Sequence, residues 1–271
     1  MSDPDAIEPL DLRFSETELA DRRESIVEFI QDSMGAAGAD RAILGLSGGI
    51  DSTTTAHLAV EALGADALHA LVMPGAVSEP ENMSDAEWVA QELGVEYDLV
   101  EINPFVDLLL DTFGEAEDDY EAVGNARART RAVINYLVAN HENGLVLGTG
   151  NRTEAMVGYF TKFGDGAVDV NPLGNLYKQQ VRQLARSLDV PEELVTKTPT
   201  AGLWAGQTDE DELGIDYDTL DAILALHVDG PLSATATARA IDEDEAVVER
   251  IAAMARGSEH KRTPPTTPTP P

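Results

Sequence analysis

Apolar positions along the first part of the chain follow two alternating rhythms. Leu19, Ile26, Val27, Ile30 and Met34 recur at helical spacing. Ser15 and Glu18 stand ahead of them as a capping-box pair. Residues 42–46 form a short unbroken apolar run, as a buried strand does, and 53–63 return to helical spacing up to Gly64. The alternation then repeats. A strand is expected over 67–73, a helix reaching Leu93 and stopped by Gly94, and a strand over 95–102. A short helix over 103–113, a long one over 120–140 and a buried strand over 145–149 follow. This order predicts an α/β fold, a Rossmann-like doubly wound parallel sheet flanked by helices. In such sheets ligands sit beyond the carboxyl ends of the strands. After residue 150 the strand signal fades, and helices are expected at about 153–160, 178–188, 217–226 and 243–256. The chain reads as a single domain over 1–262, with residues 1–14 as a loose arm and the Pro/Thr-rich residues 263–271 as a disordered tail.

Composition narrows what this frame can do. Hydrophobic residues make up 43% of the 271 positions but aromatics only 5%, so the core must rest on Ala, Val, Leu and Ile. Cysteine is absent, which excludes disulfides, cysteine-held metals and a cysteine nucleophile. No apolar run is long enough to cross a bilayer, and the first residues lack the basic and apolar stretches of a signal peptide. A cytoplasmic protein without a membrane partner is expected.

Charge changes the picture further. Fifty acidic residues against 18 basic ones give a net −32, and the acids are spread along the whole chain rather than gathered in a tail. Such a surface repels itself in dilute buffer, whereas molar salt screens it within about 3 Å. The charge therefore points to adaptation to high internal salt. It also argues against a nucleic-acid partner, which would require a basic patch.

Candidate chemistry begins where the first strand ends, at Gly45, Leu46, Ser47, Gly48, Gly49, Ile50, Asp51 and Ser52. Small residues between a strand and a helix let backbone amides approach a phosphate, and the helix N-terminus adds partial positive charge. Two adjacent glycines alone would more often be a simple turn. The octet lacks the lysine of a Walker loop, so it is a different phosphate site. Asp51 beside phosphates would set like charges together unless a Mg²⁺ ion bridges them.

The SGGIDS segment resembles the pyrophosphatase loop of ATP-dependent adenylating amidotransferases, which cleave ATP between its α and β phosphates. Further segments are similar to the NAD synthetases within that group: Gly124 to Arg131 (GNARARTR), Gly148 to Glu154 (GTGNRTE), Gly158 to Asp165 (GYFTKFGD) continuing through Asp169, Pro172 and Leu176-Tyr177-Lys178, Pro199 to Trp204 (PTAGLW), Gln207 to Glu210 (QTDE) and His260-Lys261-Arg262. The resemblance implies an adenine nucleotide alpha-hydrolase-like fold and ammonia-dependent, ATP-driven amidation of deamido-NAD in a homodimer. Residue by residue it implies that the octet, Thr149, Lys178 and Thr200 contact ATP. Asp51 and Glu154 would hold Mg²⁺, while Arg127, Lys162, Asp169, His260 and Lys261 would bind deamido-NAD. Asp165 would sit near the ammonia, and with Lys178 it would be catalytic.

The residue types have plainer readings as well. Arg127 and Arg131, four apart on one helix, could be a solvated ion-pair stripe. Glu154 could be a helix-dipole partner, and Asp165 and Asp169 turn residues. The lysines are more telling. In a chain with only four, Lys162, Lys178 and Lys261 fall inside these segments, while Lys197 has no such place and reads as surface. With no cysteine and no room ahead of Gly45 for a glutaminase domain, free ammonia should be the nitrogen donor unless a separate glutaminase subunit supplies it. The competing readings are another amide- or thio-forming ligase with this loop, and an ATP-binding module without catalysis.

Overall fold

The computed structural model describes residues 10–76, 78, 80–200, 202, 204 and 206–268. Four strands, β1 (Arg41–Gly45), β2 (Leu68–Val72), β3 (Glu96–Leu99) and β4 (Gly144–Leu147), form one parallel sheet in the order β3-β2-β1-β4. The connecting helices are α1 (Glu16–Ala37), α2 (Ile50–Leu63), α3 (Pro80–Leu93), α4 (Asn103–Thr112) and α5 (Tyr120–Glu142). Strand β1 is central, and successive side chains on it feed opposite faces. Ala42 and Leu44 join a core with Ile30 of α1, Leu58 of α2 and Leu184, whereas Ile43 packs with Val106 of α4 and Ile134 of α5. The sheet is thus covered on both faces, as the unbroken apolar runs predict. The expected strand over 95–102 shrinks to four residues because β3 is the sheet edge, where Glu96, Asp98 and Leu99 are exposed.

The chain runs from β1 outward through β2 and β3, then returns to place β4 on the other side of β1. This reversal opens a crevice between the ends of β1 and β4, where α/β sheets bind ligands. Gly45 ends β1 at that crevice, and Gly148 and Thr149 follow β4 into it.

Beyond β4 come α6 (Arg152–Val157), α7 (Lys178–Ser187), α8 (Glu192–Val195), α9 (Asp209–Leu213), α10 (Tyr217–Ile223), α11 (Ala234–Ile241), α12 (Glu245–Gly257) and α13 (Glu259–Arg262). A π turn, Leu224–Val228, extends α10. Val157, Leu213, Tyr217, Leu220, Val248 and Ile251 build a separate helical core here. Helices α8, α9 and α13 escape sequence reading because each is only four or five residues long, and eight-residue α11, Ala234–Ile241, is built of Ala and Thr with a single large apolar residue.

The capping box forms as expected: the Glu18 amide donates to Ser15 Oγ, and the Ser15 amide donates to Glu18 Oε2 at 2.9 Å. Residues 10–14 differ from the expected loose arm. Phe14 N donates to Gln183 Oε1 at 2.8 Å, and Gln180 and Gln183 donate back to the carbonyls of Leu12 and Phe14, so the segment is tied along α7. Residues 263–268 carry no regular secondary structure, while 1–9 and 269–271 lie outside the described residues. Among the described residues no helix is long and apolar enough to cross a membrane.

Candidate active site

Helix α2 starts at Ile50, three residues earlier than its apolar pattern suggests, because extended Gly49 serves as its N-cap. The consequence is chemical. Asp51 and Ser52 lie in the first helical turn, and no side chain caps that turn. Its free amides and partial positive charge are available to an anion. The loop is braced from within: Ser47 N donates to Ser52 Oγ at 3.2 Å, and Ser52 Oγ donates to Gly49 O at 3.1 Å. Gly48 has φ +77°, and a Cβ there would lie 2.3 Å from Asn82 O of α3. Only glycine satisfies both the left-handed backbone and that close approach.

Across the crevice, Lys178 opens α7 yet is only 1% exposed. Its Nζ donates to Asp51 Oδ2 at 2.6 Å and to Glu154 Oε1 at 3.1 Å, and it lies 4.9 Å from the ring centre of Tyr217. Burial alone would lower the ammonium pKa, but the Asp51 and Glu154 charges outweigh it and hold Lys178 above its ordinary value. Burial pushes the Glu154 carboxyl up to about 7 despite the pull of Lys178, and Asp51 adds to the rise. Tyr217 OH donates to Asp209 Oδ2 at 2.7 Å, while Asp209 Oδ1 is buried with no hydrogen-bond partner among the described residues. Burial raises the Asp209 pKa as well. Three carboxylates and one lysine thus share a largely desolvated wall.

The wall is held by the turn between β4 and α6. Asn151 caps α6 by accepting from Glu154 N at 3.0 Å, and its Nδ2 donates to Asp51 Oδ1 at 2.9 Å. Lys178 N donates to Thr153 Oγ1 at 3.0 Å, and Thr153 donates to Asp221 of α10. Asp221 also accepts from Gln179 N at 2.9 Å. It therefore locks the first turns of α6 and α7 together, which sets Glu154 against Lys178. Its burial raises its own pKa to about 6.

These groups line a cleft of about 720 Å³. Gly45, Leu46, Ser47, Gly49, Ile50, Asp51, Ser52, Thr149, Glu154, Asp165, Lys178, Thr200 and Lys261 all face it. Asp165 Oδ1 accepts from Thr161 N at 2.8 Å, and burial raises its pKa although part of its surface is open to the cleft. Of the PTAGLW segment, Ala201 and Leu203 lie outside the described residues.

Five of the sequence-predicted residues are placed differently. Gly48 packs under α3 rather than lining the cleft. Asp169 accepts from Val146 N at 2.8 Å and from Tyr136 OH at 3.1 Å, and so secures the edge of β4. Lys162 donates to the His260 carbonyl, and neither it, His260 nor Arg127 lines the cleft. Lys261 reaches the cleft through the carbonyls of Gly158 and Phe160, at 2.7 and 2.9 Å. Conversely, the cleft holds Arg131, Lys197, Tyr159, Trp204 and Asp209, to which sequence reading gave no role. Burial, then the Arg127 charge, lowers the Arg131 pKa to about 10, which leaves it a cation. For Lys197 a signal existed: it is the remaining lysine in a chain that nearly avoids them.

Comparison with known proteins identifies the family and agrees with the fold. A family model described as NAD synthase matches residues 23–265. A Halobacterium salinarum protein named NH(3)-dependent NAD(+) synthetase is 67% identical over 268 residues, covering 99% of this chain and 100% of that protein. The source of that relative fits the reading of an acidic chain built for salt. Among solved structures, an NMN synthetase from Francisella tularensis superposes with a TM-score of 0.81 at 38% identity, covering 94% of this chain and 99% of that one. An NH3-dependent NAD synthetase from Campylobacter jejuni gives 0.77 at 28% identity, with 93% and 99% covered. The chain belongs to the NAD synthase family.

Proposed function

We propose that this chain converts deamido-NAD to NAD with ATP and free ammonia, releasing AMP and pyrophosphate. The observation that carries the reading is Lys178, buried between Asp51 of the glycine loop and Glu154 after β4, at the crevice where the sheet reverses. An ATP-binding module without catalysis has no use for an ammonium held by two carboxylates at its phosphate end.

A carboxylate does not yield an amide directly, because oxide is a poor leaving group. Attack of the nicotinate carboxylate oxygen on the α-phosphorus expels pyrophosphate and leaves an acyl-adenylate. Ammonia then adds to the acyl carbon, and AMP departs with the bonding pair. The uncapped first turn of α2 would cradle the leaving phosphates, with Lys178 offsetting their charge. Asp51 and Glu154 converge on one point, the Lys178 ammonium, and both remain partly open to the cleft. That donor set suits Mg²⁺, which takes one or two protein carboxylates and completes its shell with phosphate and water. Held there, the ion would neutralise charge on the phosphates. Asp165 would hold ammonium at the cleft wall, where its raised pKa suits it to take the proton that ammonium must lose.

The binding of deamido-NAD by Arg127, Lys162, Asp169, His260 and Lys261 would draw on five groups, of which only Lys261 faces the cleft of one chain. A second copy is the natural source of the missing wall. Helices α4 and α5 pack together and expose Phe105, Leu108, Leu109, Val133 and Leu137, a surface suited to a homodimer. Sedimentation in molar KCl should therefore give twice the chain mass, and a monomer would remove this completion of the site. Work on ATP and a dinucleotide sets the enzyme in the cytoplasm.

Incubating the chain with ATP, Mg²⁺, deamido-NAD and ammonium in molar KCl should yield NAD and pyrophosphate in equal amounts. Glutamine should not replace ammonium, since a chain without cysteine has no thiol to release ammonia from it. Equal NAD formation from glutamine would contradict this. The likeness to the Francisella protein named NMN synthetase makes nicotinic acid mononucleotide the competing substrate to include.

A further inference from the structure

We infer that Lys197, between α8 and α9, is a binding residue for the departing pyrophosphate, held ready in the free enzyme by Asp85 of α3. This rests on the pyrophosphate-releasing reaction above and adds a residue to it. Lys197 Nζ pairs with Asp85 Oδ2, the two side chains being 21% and 26% exposed. Lys197 lines the same cleft as the glycine loop and Lys178. Its partner stands against that loop: a Cβ built on Gly48 would be 3.0 Å from Asp85 Cβ and from Ala86 N. The pair therefore sits beside the backbone that would cradle the phosphates.

Charge decides which lysine can move to them. Lys178 is locked by two carboxylates and is 1% exposed, so it acts from a fixed place. Lys197 is held by one carboxylate rather than two and is itself 21% exposed, so it has one bridge to give up. Exchanging Asp85 for a doubly charged phosphate group costs little, because water can solvate the released carboxylate. Around Lys178 stand Asp51, Glu154 and Asp209, carboxylates that outnumber that one lysine. A mobile cation there answers the charge that appears as the α–β bond breaks. Its chain position is consistent with this task, since Lys197 lies three residues before Thr200, which also faces the cleft.

The two ends of the bridge separate a ligand from a staple. Wild type, Lys197→Met and Asp85→Asn should be titrated calorimetrically, as full chains with Mg²⁺ in molar KCl, with inorganic pyrophosphate and separately with AMP. Both variants lose the same bridge, so their melting temperatures should fall by similar small amounts. Lys197→Met should weaken pyrophosphate binding roughly 10- to 100-fold, as loss of a hydrogen bond to a charged group does, and leave AMP binding within about twofold. Asp85→Asn should bind pyrophosphate as tightly as wild type or more tightly. Equal losses in the two variants, equal losses for AMP and pyrophosphate, or no change in Lys197→Met would each overturn the inference. These titrations need no turnover. A wild type that makes no NAD yet shows the predicted contrast would overturn the proposed reaction and leave the phosphate contact standing.

Discussion

Replacing Lys178 with Met should abolish NAD formation and destabilise the fold by about 3–5 kcal/mol, the usual effect of removing one partner from a buried ion group. The variant leaves Asp51 and Glu154 facing one another across a desolvated gap, with Asp209 behind Tyr217 close by. Without a cation between them, those carboxylates are driven to take up protons, which removes charge that a divalent ion would need. Loss of the cation should lower kcat by roughly a thousandfold or more, the upper range for a single preorganised donor. Urea unfolding in molar KCl measures the first effect and the coupled NAD assay the second. Lys178→Arg should not rescue either, because the larger guanidinium has no space at a site only 1% exposed. Activity within tenfold of wild type in the Met variant would show that Lys178 is structural alone.

The second large effect is expected at Gly48→Ala. The left-handed backbone there costs a non-glycine residue about 1–3 kcal/mol, and the added methyl must displace α3. At 2.3 Å from Asn82 O and 3.0 Å from Ala86 N the obstruction is backbone, which cannot rotate away. Overpacking of this kind adds about another 1–3 kcal/mol. Moving α3 also moves Asp85, and the loop amides lose their alignment, so the KM for ATP should rise more than that for deamido-NAD. Gly64→Ala is the control: its φ is +84° but nothing lies within 4 Å, so only the backbone term applies. Equal destabilisation by the two substitutions would show that the approach of α3 contributes nothing.

Much of the fold and part of the site are legible in the sequence because they are local. The apolar runs of β1, β2 and β4 and the spacing of α1, α5 and α7 declare themselves within a few residues of their observed bounds. The Ser15 and Glu18 cap is a four-residue event, and so is the glycine loop between β1 and α2. The bounds of the exposed edge strand β3 and the four- and five-residue helices α8, α9 and α13 lack enough periods to be read, and Ala/Thr-rich α11 lacks an apolar stripe.

What sequence alone determined, then, is the parallel α/β frame, the phosphate loop at the end of β1, and the family motifs in which Lys178, Glu154 and Asp165 stand. Tertiary structure alone decided which charged side chains meet. Lys178 and Asp51 are 127 residues apart and Lys197 and Asp85 are 112 apart, so no local pattern couples either pair. The same holds for Asp169, which reads as a ligand in a turn but satisfies a backbone amide at the sheet edge 23 residues away. Local rhythm reports which face of an element is buried. Partner choice inside a cleft depends on where the chain reverses across the sheet and on which polar groups must be paired once water is excluded.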